Sequence, residues 1–259
     1  MGQLYGNTAI ITGGGTGIGR AIAQRFHEEG AFIIICGRRK EKLMATSAQL
    51  GSCDRVFSFM ADVTVEDDIA NLLDSAWKKT GRIDILVNNA GVMRFGRLEE
   101  TPLSEWELMM KTNVWGPWRL MVHTIPYMKK TGGGSIINIS SIAGIKSFPG
   151  AGVYCASKAA LQVISQVAAM ENARDSIRVN CILPAAVEDT ELSNPIFGAE
   201  NVPAFWDKLR PLHPLGRNGK PKDIADAALF FAADQSSLIT GVLLNVDGGR
   251  HMATNRPPD

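Results

Sequence analysis

Short apolar segments alternate with longer segments of helical periodicity along nearly the whole chain. The short segments are apolar at almost every position rather than at every second one, which is typical of strands buried on both faces. They predict strands at residues 8–12, 31–36, 56–61, 83–91, 135–140, 177–183 and 242–246, and the periodic segments predict helices at about 18–30, 40–50, 65–79, 103–129, 154–172 and 222–233. This alternation predicts an α/β fold, a doubly wound parallel sheet of about seven strands with helices on both faces.

The chain has 259 residues, enough to bury one large core, and no linker, internal repeat or low-complexity tract divides it. We therefore expect a single domain over residues 1–259. Two segments interrupt the alternation: residues 185–215, which are rich in proline and aromatic residues, and the polar residues 250–259.

Charge and composition narrow the classes of partner. The net charge is +1 with 20% charged residues, so nothing favours a polyanion such as nucleic acid. No run of 18 apolar residues occurs and the N-terminus lacks the regions of a signal peptide, so we expect no membrane and a cytoplasmic protein. The four cysteines have no metal-ligand spacing, so we expect reduced thiols and no metal site.

A glycine-rich loop, TGGGTGIG, follows the first predicted strand and opens the first predicted helix, from Thr12 to Gly19. The unpaired N–H groups and the positive dipole end of a helix favour an anion such as pyrophosphate in front of the loop. The dinucleotide spacing Gly-x-Gly-x-x-Gly does not fit, because Ile18 stands where the last glycine is required, and no Gly-Lys-Ser/Thr follows. The alternative is a turn that only packs the helix against the sheet.

Tyr154 and Lys158, in the sequence YCASK, stand four residues apart and share one face of a predicted helix. An ammonium group near a phenol favours the phenolate and lowers the tyrosine pKa from its free value of about 10. Such a tyrosine can serve as an acid or base near neutral pH. The alternative is a packing tyrosine with a solvated lysine.

Small and polar residues collect at the carboxyl ends of the predicted strands. They are the glycine loop after the first strand, Gly37-Arg38-Arg39 after the second, Asp62-Val63 after the third, Asn88-Asn89-Ala90-Gly91 at the fourth, Ser140-Ser141 at the fifth and Pro184 at the sixth. Ligands of open parallel sheets bind at this edge. The coincidence favours a ligand site over a rim that is only solvated.

TGGGTGIG, NNAG, Ser141 and YCASK occur in the order and spacing of the short-chain dehydrogenase/reductase family, which the chain resembles from Thr8 to Gly249. The loop pattern of that family, Gly-x-x-x-Gly-x-Gly, matches Gly13, Gly17 and Gly19. The resemblance implies a Rossmann-like fold, a nicotinamide cofactor and a homotetramer. It also implies interconversion of a secondary alcohol and a ketone, both small molecules, by hydride transfer.

The resemblance assigns four catalytic roles. Tyr154 would protonate the carbonyl oxygen or deprotonate the alcohol, while Lys158 would hold the nicotinamide ribose and lower the tyrosine pKa. Ser141 would hydrogen-bond the substrate oxygen. Asn113 would sustain a water-linked proton path to the lysine, the alternative being a helix residue that caps a bend.

The resemblance also implies a cofactor site built from the glycine loop and the strand ends. Its residues are Gly13, Thr16, Gly17, Ile18, Gly19, Arg38, Arg39, Asp62, Val63, Asn89, Ala90, Gly91, Tyr154, Lys158, Pro184 and Val187. An NAD-selective site normally has a carboxylate about 20 residues after the loop, for the ribose 2′-OH. This chain has Gly37 there, followed by Arg38 and Arg39, and guanidinium groups bind a 2′-phosphate bidentately. NADP(H) is therefore favoured over NAD(H), although the arginines are also compatible with solvation or with stacking on adenine.

The chain departs from the family after the sixth strand. The family usually shows Pro-Gly-x-Ile/Val-x-Thr, whereas Pro184 here is followed by AAVED and Thr190 comes one place late. Asp189 stands where a hydroxyl would contact the cofactor, and its charge would repel a phosphate. Either Asp189 turns away or the loop shifts its register to present Thr190.

Residues 188–213 occupy the place of the family's mobile lid over the substrate. Candidate substrate contacts, besides Ser141, are Met93, Phe148, Phe205 and Trp206. The alternative for the lid aromatics is packing on the body of the protein or on another subunit. No strong clamp for a carboxylate or phosphate is evident, and Arg94 and Lys146 are the candidates for one. Small aromatic or aliphatic ketones are therefore favoured as substrates over highly charged ones.

Two other functions remain open at this point. One is reduction of a 3-oxoacyl thioester, which requires a basic surface patch for an acidic carrier protein. The other is a dinucleotide-binding regulator without turnover on the same scaffold. The presence of Ser141, Tyr154 and Lys158 together argues against the regulator.

Overall fold

The sheet confirms the predicted architecture. A computed structural model describes residues 1–51, 54–192, 198 and 200–253. Within these residues the strands are β1 (Thr8–Thr12), β2 (Phe32–Gly37), β3 (Val56–Met60), β4 (Ile85–Asn88), β5 (Gly134–Ile139), β6 (Ile177–Pro184) and β7 (Leu243–Val246). They form one parallel sheet in the order β3-β2-β1-β4-β5-β6-β7. The order reverses direction at β1, which is the doubly wound topology.

Helices connect the strands. They are α1 (Gly17–Glu28), α2 (Lys40–Gln49), α3 (Glu66–Thr80), α4 (Leu103–Met110), α5 (Gly116–Lys130), α6 (Gly152–Asn172), α7 (Val202–Leu209) and α8 (Pro221–Ala232). In the described part of the chain, none of them is both long enough and apolar enough to span a bilayer.

Both faces of the sheet are covered, as the apolar strands predict. Neighbouring residues of β1 point to opposite faces, so that Ile11 joins the core under α1 and α8 while Ile10 joins the core under α3, α5 and α6. All five residues of β1 are buried. Strands that are apolar throughout are therefore required at the centre of this fold.

Helix α3 shows how the sequence sets element ends. Three acidic residues, Glu66 to Asp68, occupy its first turn, and Lys78 and Lys79 occupy its last. These charges oppose the helix dipole at each end. Gly81 ends the helix in the left-handed conformation, with φ of 69°, which glycine adopts without steric cost.

The fourth strand is shorter than the predicted 83–91. It ends at Asn88, because the backbone N–H groups of Asn89 and Ala90 donate to Thr12 Oγ1, at 2.9 and 3.0 Å, instead of to a neighbouring strand. This departure from the sheet turns the NNAG backbone toward the carboxyl edge of β1, beside the glycine loop.

The predicted helix over 103–129 is not continuous. A π-helical turn, Lys111–Trp115, separates α4 from α5. Pro117 lacks an N–H group, so it cannot donate the α-helical hydrogen bond to the carbonyl of Asn113. Single π turns of this kind occur often at functional sites.

A buried polar relay ties the sheet to α6. Asn88 Nδ2 donates to Asn138 Oδ1 at 2.7 Å, and Asn138 Nδ2 donates to Ser165 Oγ at 2.7 Å. Buried groups with satisfied hydrogen bonds favour one arrangement over its alternatives, because any slip would leave them unpaired. The relay thus fixes α6, the helix that carries Tyr154 and Lys158, against β4 and β5.

Candidate active site

A cavity of about 700 Å³ runs along the carboxyl edge of the sheet. The predicted site residues that line it are Gly13, Thr16, Gly17, Ile18, Arg38, Arg39, Asp62, Val63, Asn89, Ala90, Gly91, Met93, Ser141, Phe148, Tyr154, Lys158, Pro184, Val187, Phe205 and Trp206. Gly19 and Asn113 do not line it. One cavity therefore joins the glycine loop, the Ser–Tyr–Lys set and the lid aromatics.

The glycine loop forms one end of this cavity, and its bare backbone is a steric requirement. Gly13 and Gly17 have φ of 63° and 51°, in the left-handed region. A Cβ on Gly19 would lie 2.2 Å from the carbonyl oxygen of Gly13, so this glycine allows α1 to pack against the loop instead of lining the cavity. Asn89 Nδ2 holds the loop by donating to the carbonyl of Thr12 at 2.9 Å.

This end of the cavity fits the pyrophosphate of a dinucleotide. The first turn of α1 carries no acidic residue, so nothing opposes an anion at the helix N-terminus. Glycines leave the backbone N–H groups accessible to that anion. The fit rests on this bare, positively polarised cradle.

Ser141, Tyr154 and Lys158 lie together deeper in the cavity. Ser141 follows β5, where its Oγ accepts from Ala143 N at 3.1 Å and donates to the carbonyl of Pro184 at 3.4 Å. Lys158 Nζ lies 5.7 Å from the centroid of the Tyr154 ring and donates to the carbonyl of Ile139 at 3.0 Å. The hydroxyl, phenol and ammonium groups thus share one wall.

Burial dominates the protonation of this set. It raises the pKa of Tyr154 to about 12, against a smaller lowering by the hydrogen bond with Ser141. Burial also lowers the pKa of Lys158 to about 8. The net shift of the Tyr154 pKa is opposite to the lowering expected from Lys158, since desolvation of the phenolate is its largest cause.

The sequence is similar to those of known proteins over nearly its whole length. A family model described as enoyl-(acyl carrier protein) reductase matches residues 13–251. A 3-oxoacyl-(acyl-carrier-protein) reductase of Chlamydia trachomatis is 39% identical over 250 residues, which cover 96% of this chain and 98% of the relative. The chain belongs to the short-chain dehydrogenase/reductase family. It is an oxidoreductase that acts on CH–OH or C=O groups with a nicotinamide dinucleotide.

Two more relatives of similar sequence identity have different names. A protein of Thermotoga maritima called an uncharacterized oxidoreductase is 36% identical over 251 residues, covering 95% of this chain and 98% of the relative. A 2-(S)-hydroxypropyl-CoM dehydrogenase of Xanthobacter autotrophicus is 33% identical over 248 residues, covering 95% and 97%.

Asn113, the fourth residue expected from the family pattern, is fully buried on the π turn. Its side chain accepts from Val92 N and donates to the carbonyl of Val92, both at 2.9 Å, and also donates to Ser157 Oγ at 3.1 Å. A Cβ on Gly91 would lie 3.3 Å from Asn113 Oδ1 and 3.6 Å from Lys158 Nζ. Asn113 therefore holds the loop after β4 close to the lysine, and its part in a proton path stays a prediction.

Basic side chains surround the cavity where it passes β2. Arg38 is 64% exposed, with Nη1 at 3.9 Å from Asp62 Oδ2. Arg39 Nη2 lies 2.6 Å from Glu191 Oε2, and Lys42 Nζ lies 3.4 Å from Glu191 Oε1. Sequence reasoning missed Lys42, although its position one helical turn after Arg39 was a signal. It also missed Glu191, for which the sequence gives no signal.

Glu191 stays ionised in this arrangement. Its partial burial alone would favour the neutral acid, but the hydrogen bonds and charges of Arg39 and Lys42 outweigh that effect and lower the pKa of Glu191. The carboxylate comes from the predicted lid, so the ion pairs join the lid to α2.

The loop after β6 settles the choice between Asp189 and Thr190. Thr190 lines the cavity, and a Cβ on Gly17 would lie 3.3 Å from Thr190 Cγ2. Asp189 does not line the cavity and takes a left-handed φ of 58°, which aspartate tolerates better than most residues. The extra residue is therefore absorbed at Asp189, and the threonine faces the cofactor region.

Aromatic residues and two polar ones that sequence reasoning missed form the far end of the cavity. Phe205 and Trp206 of α7 contact each other, with ring centroids 5.2 Å apart. His213 and Arg250 also line this end, although they belong to segments that the sequence marked only as lid and polar tail. The position of Arg250 arises from the fold, which brings its Cζ to 5.9 Å from the Phe148 ring centroid.

Metal and thiol chemistry have no visible site in the described ranges. No group of three or more His, Cys, Asp or Glu residues there could hold a metal ion. Cys36 and Cys181 are free and buried, and burial raises the pKa of each thiol to about 12. Cys53 lies outside the described residues.

Proposed function

We propose that the protein interconverts a secondary alcohol and a ketone with NADP(H), with Tyr154 as general acid and base. The observation that carries this proposal is the placement of Ser141, Tyr154 and Lys158 on one wall of the cavity that begins at the glycine loop. The cofactor, when bound, supplies or accepts the hydride.

The chain's own residues position the substrate and move the proton. Ser141 hydrogen-bonds the substrate oxygen, and Tyr154 donates a proton to that oxygen in reduction or removes it in oxidation. Lys158 holds the nicotinamide ribose with an ammonium group that also stabilises the phenolate when it forms. Asn113 acts as a positioning residue for this end of the site through Val92.

NADP(H) rather than NAD(H) is supported by the charge at the end of β2. Gly37 offers no carboxylate for a ribose 2′-OH, and a Cβ there would meet only Leu43 Cδ2, at 3.8 Å. Arg38, Arg39 and Lys42 all line the cavity at this point. Three cations favour a 2′-phosphate, which guanidinium groups bind bidentately.

Residues 188–213 form the lid in this proposal. Residues 193–197 and 199 of this segment lie outside the described residues. Of the eight residues of α7, Val202 alone is buried, while Phe205, Trp206 and Leu209 line the cavity. A helix that directs its apolar side chains to a cavity rather than to the core suits a cover for an apolar substrate.

A single-domain, cytoplasmic homotetramer completes the proposal. Support for association comes from α6, which exposes Val163 and Met170, and from β7, whose residues are all half-buried at the sheet edge. Apolar side chains in such positions favour subunit contacts. Light scattering after size exclusion would give the subunit number.

The test of the activity is a panel of ketones, secondary alcohols and one 3-oxoacyl thioester, assayed with NADPH and NADH or their oxidised forms. We expect turnover of ketones with NADPH. Turnover of the thioester well above every ketone would favour the second candidate, which the name of the Chlamydia relative suggests. No turnover of any compound with either cofactor would contradict the proposal.

A further inference from the structure

Arg250 is a buried cation that forms no ion pair with any residue the structure describes. Only 8% of the residue is exposed, and its Nη1 atom has no hydrogen-bond partner among the described residues. No carboxylate of those residues forms an ion pair with it; the neighbouring Asp247 instead pairs with His251 Nδ1 at 2.6 Å. A guanidinium group cannot lose its charge in a protein, so leaving it buried and unpaired is costly.

The surroundings of Arg250 hold a second cation, Lys146, and one carboxylate, Asp247, which acts on Lys146 electrostatically but forms its ion pair with His251. Lys146 Nζ donates to the carbonyl of Arg250 at 3.2 Å and to that of Ala253 at 2.7 Å, which brings an ammonium group beside the arginine. The ring of Phe148, 5.9 Å from Arg250 Cζ, offsets the desolvation of the guanidinium only in part, because no described carboxylate pairs with it. An anion in the cavity would offset it.

A second orphan polar atom lies at the same end. His213 is 3% exposed, and its Nε2 has no partner among the described residues. Its Nδ1 lies 3.0 Å from the carbonyl of Leu209, which can only accept, so Nδ1 carries the proton. Burial is the largest influence and lowers the pKa of His213; the bond to Leu209 opposes it, the charge of Arg250 adds to it and the charge of Asp247 opposes it. Nε2 is therefore a free acceptor for a hydroxyl or N–H group.

The position of Arg250 places it at the substrate end and not at the cofactor phosphates. Arg250 follows β7, the edge strand on one side of the sheet, whereas Arg38 follows β2 near the other edge and the glycine loop follows β1. Four strand steps separate β1 from β7, roughly 19 Å at about 4.8 Å each. Ser141 lies between them, after β5, so a substrate oxygen at Ser141 leaves the rest of the molecule to extend toward Arg250.

We propose that Arg250 binds an oxyanion, a carboxylate or a sulfonate, at the end of the substrate away from the reacting carbon. The substrate class is then an oxo acid and its hydroxy acid, not the uncharged ketones favoured by the sequence. The proposal rests on the proposed alcohol–ketone function for the identity of the reacting group, but the anion site itself is defined without it.

The decisive experiment measures binding, because binding does not depend on turnover. Calorimetry with straight-chain carboxylates of about four to eight carbons and with their amides, in the presence of NADP⁺, should show tighter binding of at least one carboxylate. In Arg250→Met its affinity should fall at least about 10-fold, the loss of one charge-assisted hydrogen bond or more. Arg250→Lys should recover part of the affinity, which also shows that the site is folded.

Arg94→Met is the matched control. Arg94 is the other guanidinium at the substrate end of the cavity, but it is paired, with its Nη1 donating to the carbonyl of Met93 at 2.8 Å and its Nε 3.9 Å from Glu105 Oε1. Its substitution should leave carboxylate binding within about twofold. Equal binding of carboxylates and amides to the unmodified protein, or equal carboxylate binding to Arg250→Met, would overturn the proposal.

Kinetics then separates this proposal from the proposed function. Oxo acids, their methyl esters and the matching oxo sulfonates are compared by kcat/KM, and Arg250→Met should lower the acid-to-ester ratio at least about 10-fold through KM. Turnover of esters but no preference for acids would defeat the anion site and leave the proposed function standing. Carboxylate binding that needs Arg250, without turnover of any oxo compound, would support the anion site and contradict the proposed function. A changed subunit number in Arg250→Met with unchanged carboxylate binding would place Arg250 in a subunit contact and refute the site.

Discussion

Tyr154 holds its proton more tightly in this fold than a free tyrosine does, because burial raises its pKa to about 12. At neutral pH the phenol is therefore protonated and ready to donate to a ketone oxygen. Oxidation would need the phenolate, which the proposal assigns to Lys158 to stabilise. Reduction thus requires the protonated form of Tyr154, and oxidation requires its deprotonated form.

Removing the phenol oxygen tests this assignment. Tyr154→Phe should keep the fold and cofactor affinity but lower kcat at least about 100-fold, since it removes the proposed proton donor and acceptor. Tyr127→Phe is the control, because it removes a hydroxyl that bonds Asp74 outside the cavity. Near-native kcat in Tyr154→Phe would show that the assignment is wrong.

The choice of cofactor also depends on single residues. Gly37→Asp combined with Arg38→Leu should reduce the preference for NADP(H) over NAD(H) about 10-fold or more, because a charge-assisted hydrogen bond contributes roughly 1.5 to 3 kcal/mol. The preference is measured as the ratio of kcat/KM values. Arg97→Leu, at a 72% exposed arginine away from the cavity, should leave the ratio unchanged. A higher kcat/KM with NAD(H) in the unmodified protein would contradict the role of Arg38.

At the scale of elements, α7 has little support from packing, since Val202 is the one buried residue among its eight. Trp206→Ala should therefore raise KM or change substrate preference, with cofactor affinity and Tm nearly unaltered. Trp106→Ala is the matched control, since this tryptophan is partly exposed on α4 and does not line the cavity. A lower Tm with intact substrate preference would instead indicate that Trp206 packs on the body of the protein.

Elements set by local pattern were predicted from the sequence, and elements set by contacts between distant segments were not. The strands of the central sheet follow from their continuous apolar runs, and α1 follows from its amphipathic face. The end of β4 did not, because Thr12, far away in sequence, takes the hydrogen bonds of Asn89 and Ala90. The π turn at Asn113 was likewise missed, although Pro117 is its local cause.

The same division holds for the site. Gly13, Tyr154 and Lys158 were found because they occur in short motifs. His213 and Arg250 were not, since a lone histidine and a lone arginine have no motif and only the folded chain brings them to the cavity. The sequence thus predicted the residues at the reacting end of the cavity but not His213 and Arg250.

At the scale of the whole molecule, the buried charge of Lys158 lowers the free energy of unfolding. Burial lowers the pKa of Lys158 to about 8, so below that pH the fold must hold a charge that the unfolded chain keeps solvated. Between pH 8 and the ordinary value of 10.5 the unfolded state binds more protons than the folded state, so this residue's contribution to stability rises with pH.

Lys158→Met removes that dependence. The free energy of unfolding of the variant should exceed that of the unmodified protein by the largest amount below pH 8. This difference should shrink as the pH approaches 10.5. Denaturant unfolding of both proteins without cofactor measures the difference, and other titrating groups cancel in it. Lys78→Met, at an exposed lysine, should show no such trend. A pH-independent difference for Lys158→Met would mean that its charge is not the source.

In the proposal that NADP(H) is the cofactor, the ion pairs of Glu191 with Arg39 and Lys42 would have to exchange partners when the 2′-phosphate binds. A carboxylate of the lid already neutralises part of the positive charge that a 2′-phosphate would meet, and it must be displaced when the phosphate arrives. Salt screens the ion pairs that Glu191 would give up as well as the ion pairs that the phosphate would form. Cofactor affinity should then decrease less steeply with ionic strength than it would for three exposed cations without Glu191. Cofactor binding would therefore be less sensitive to the salt concentration.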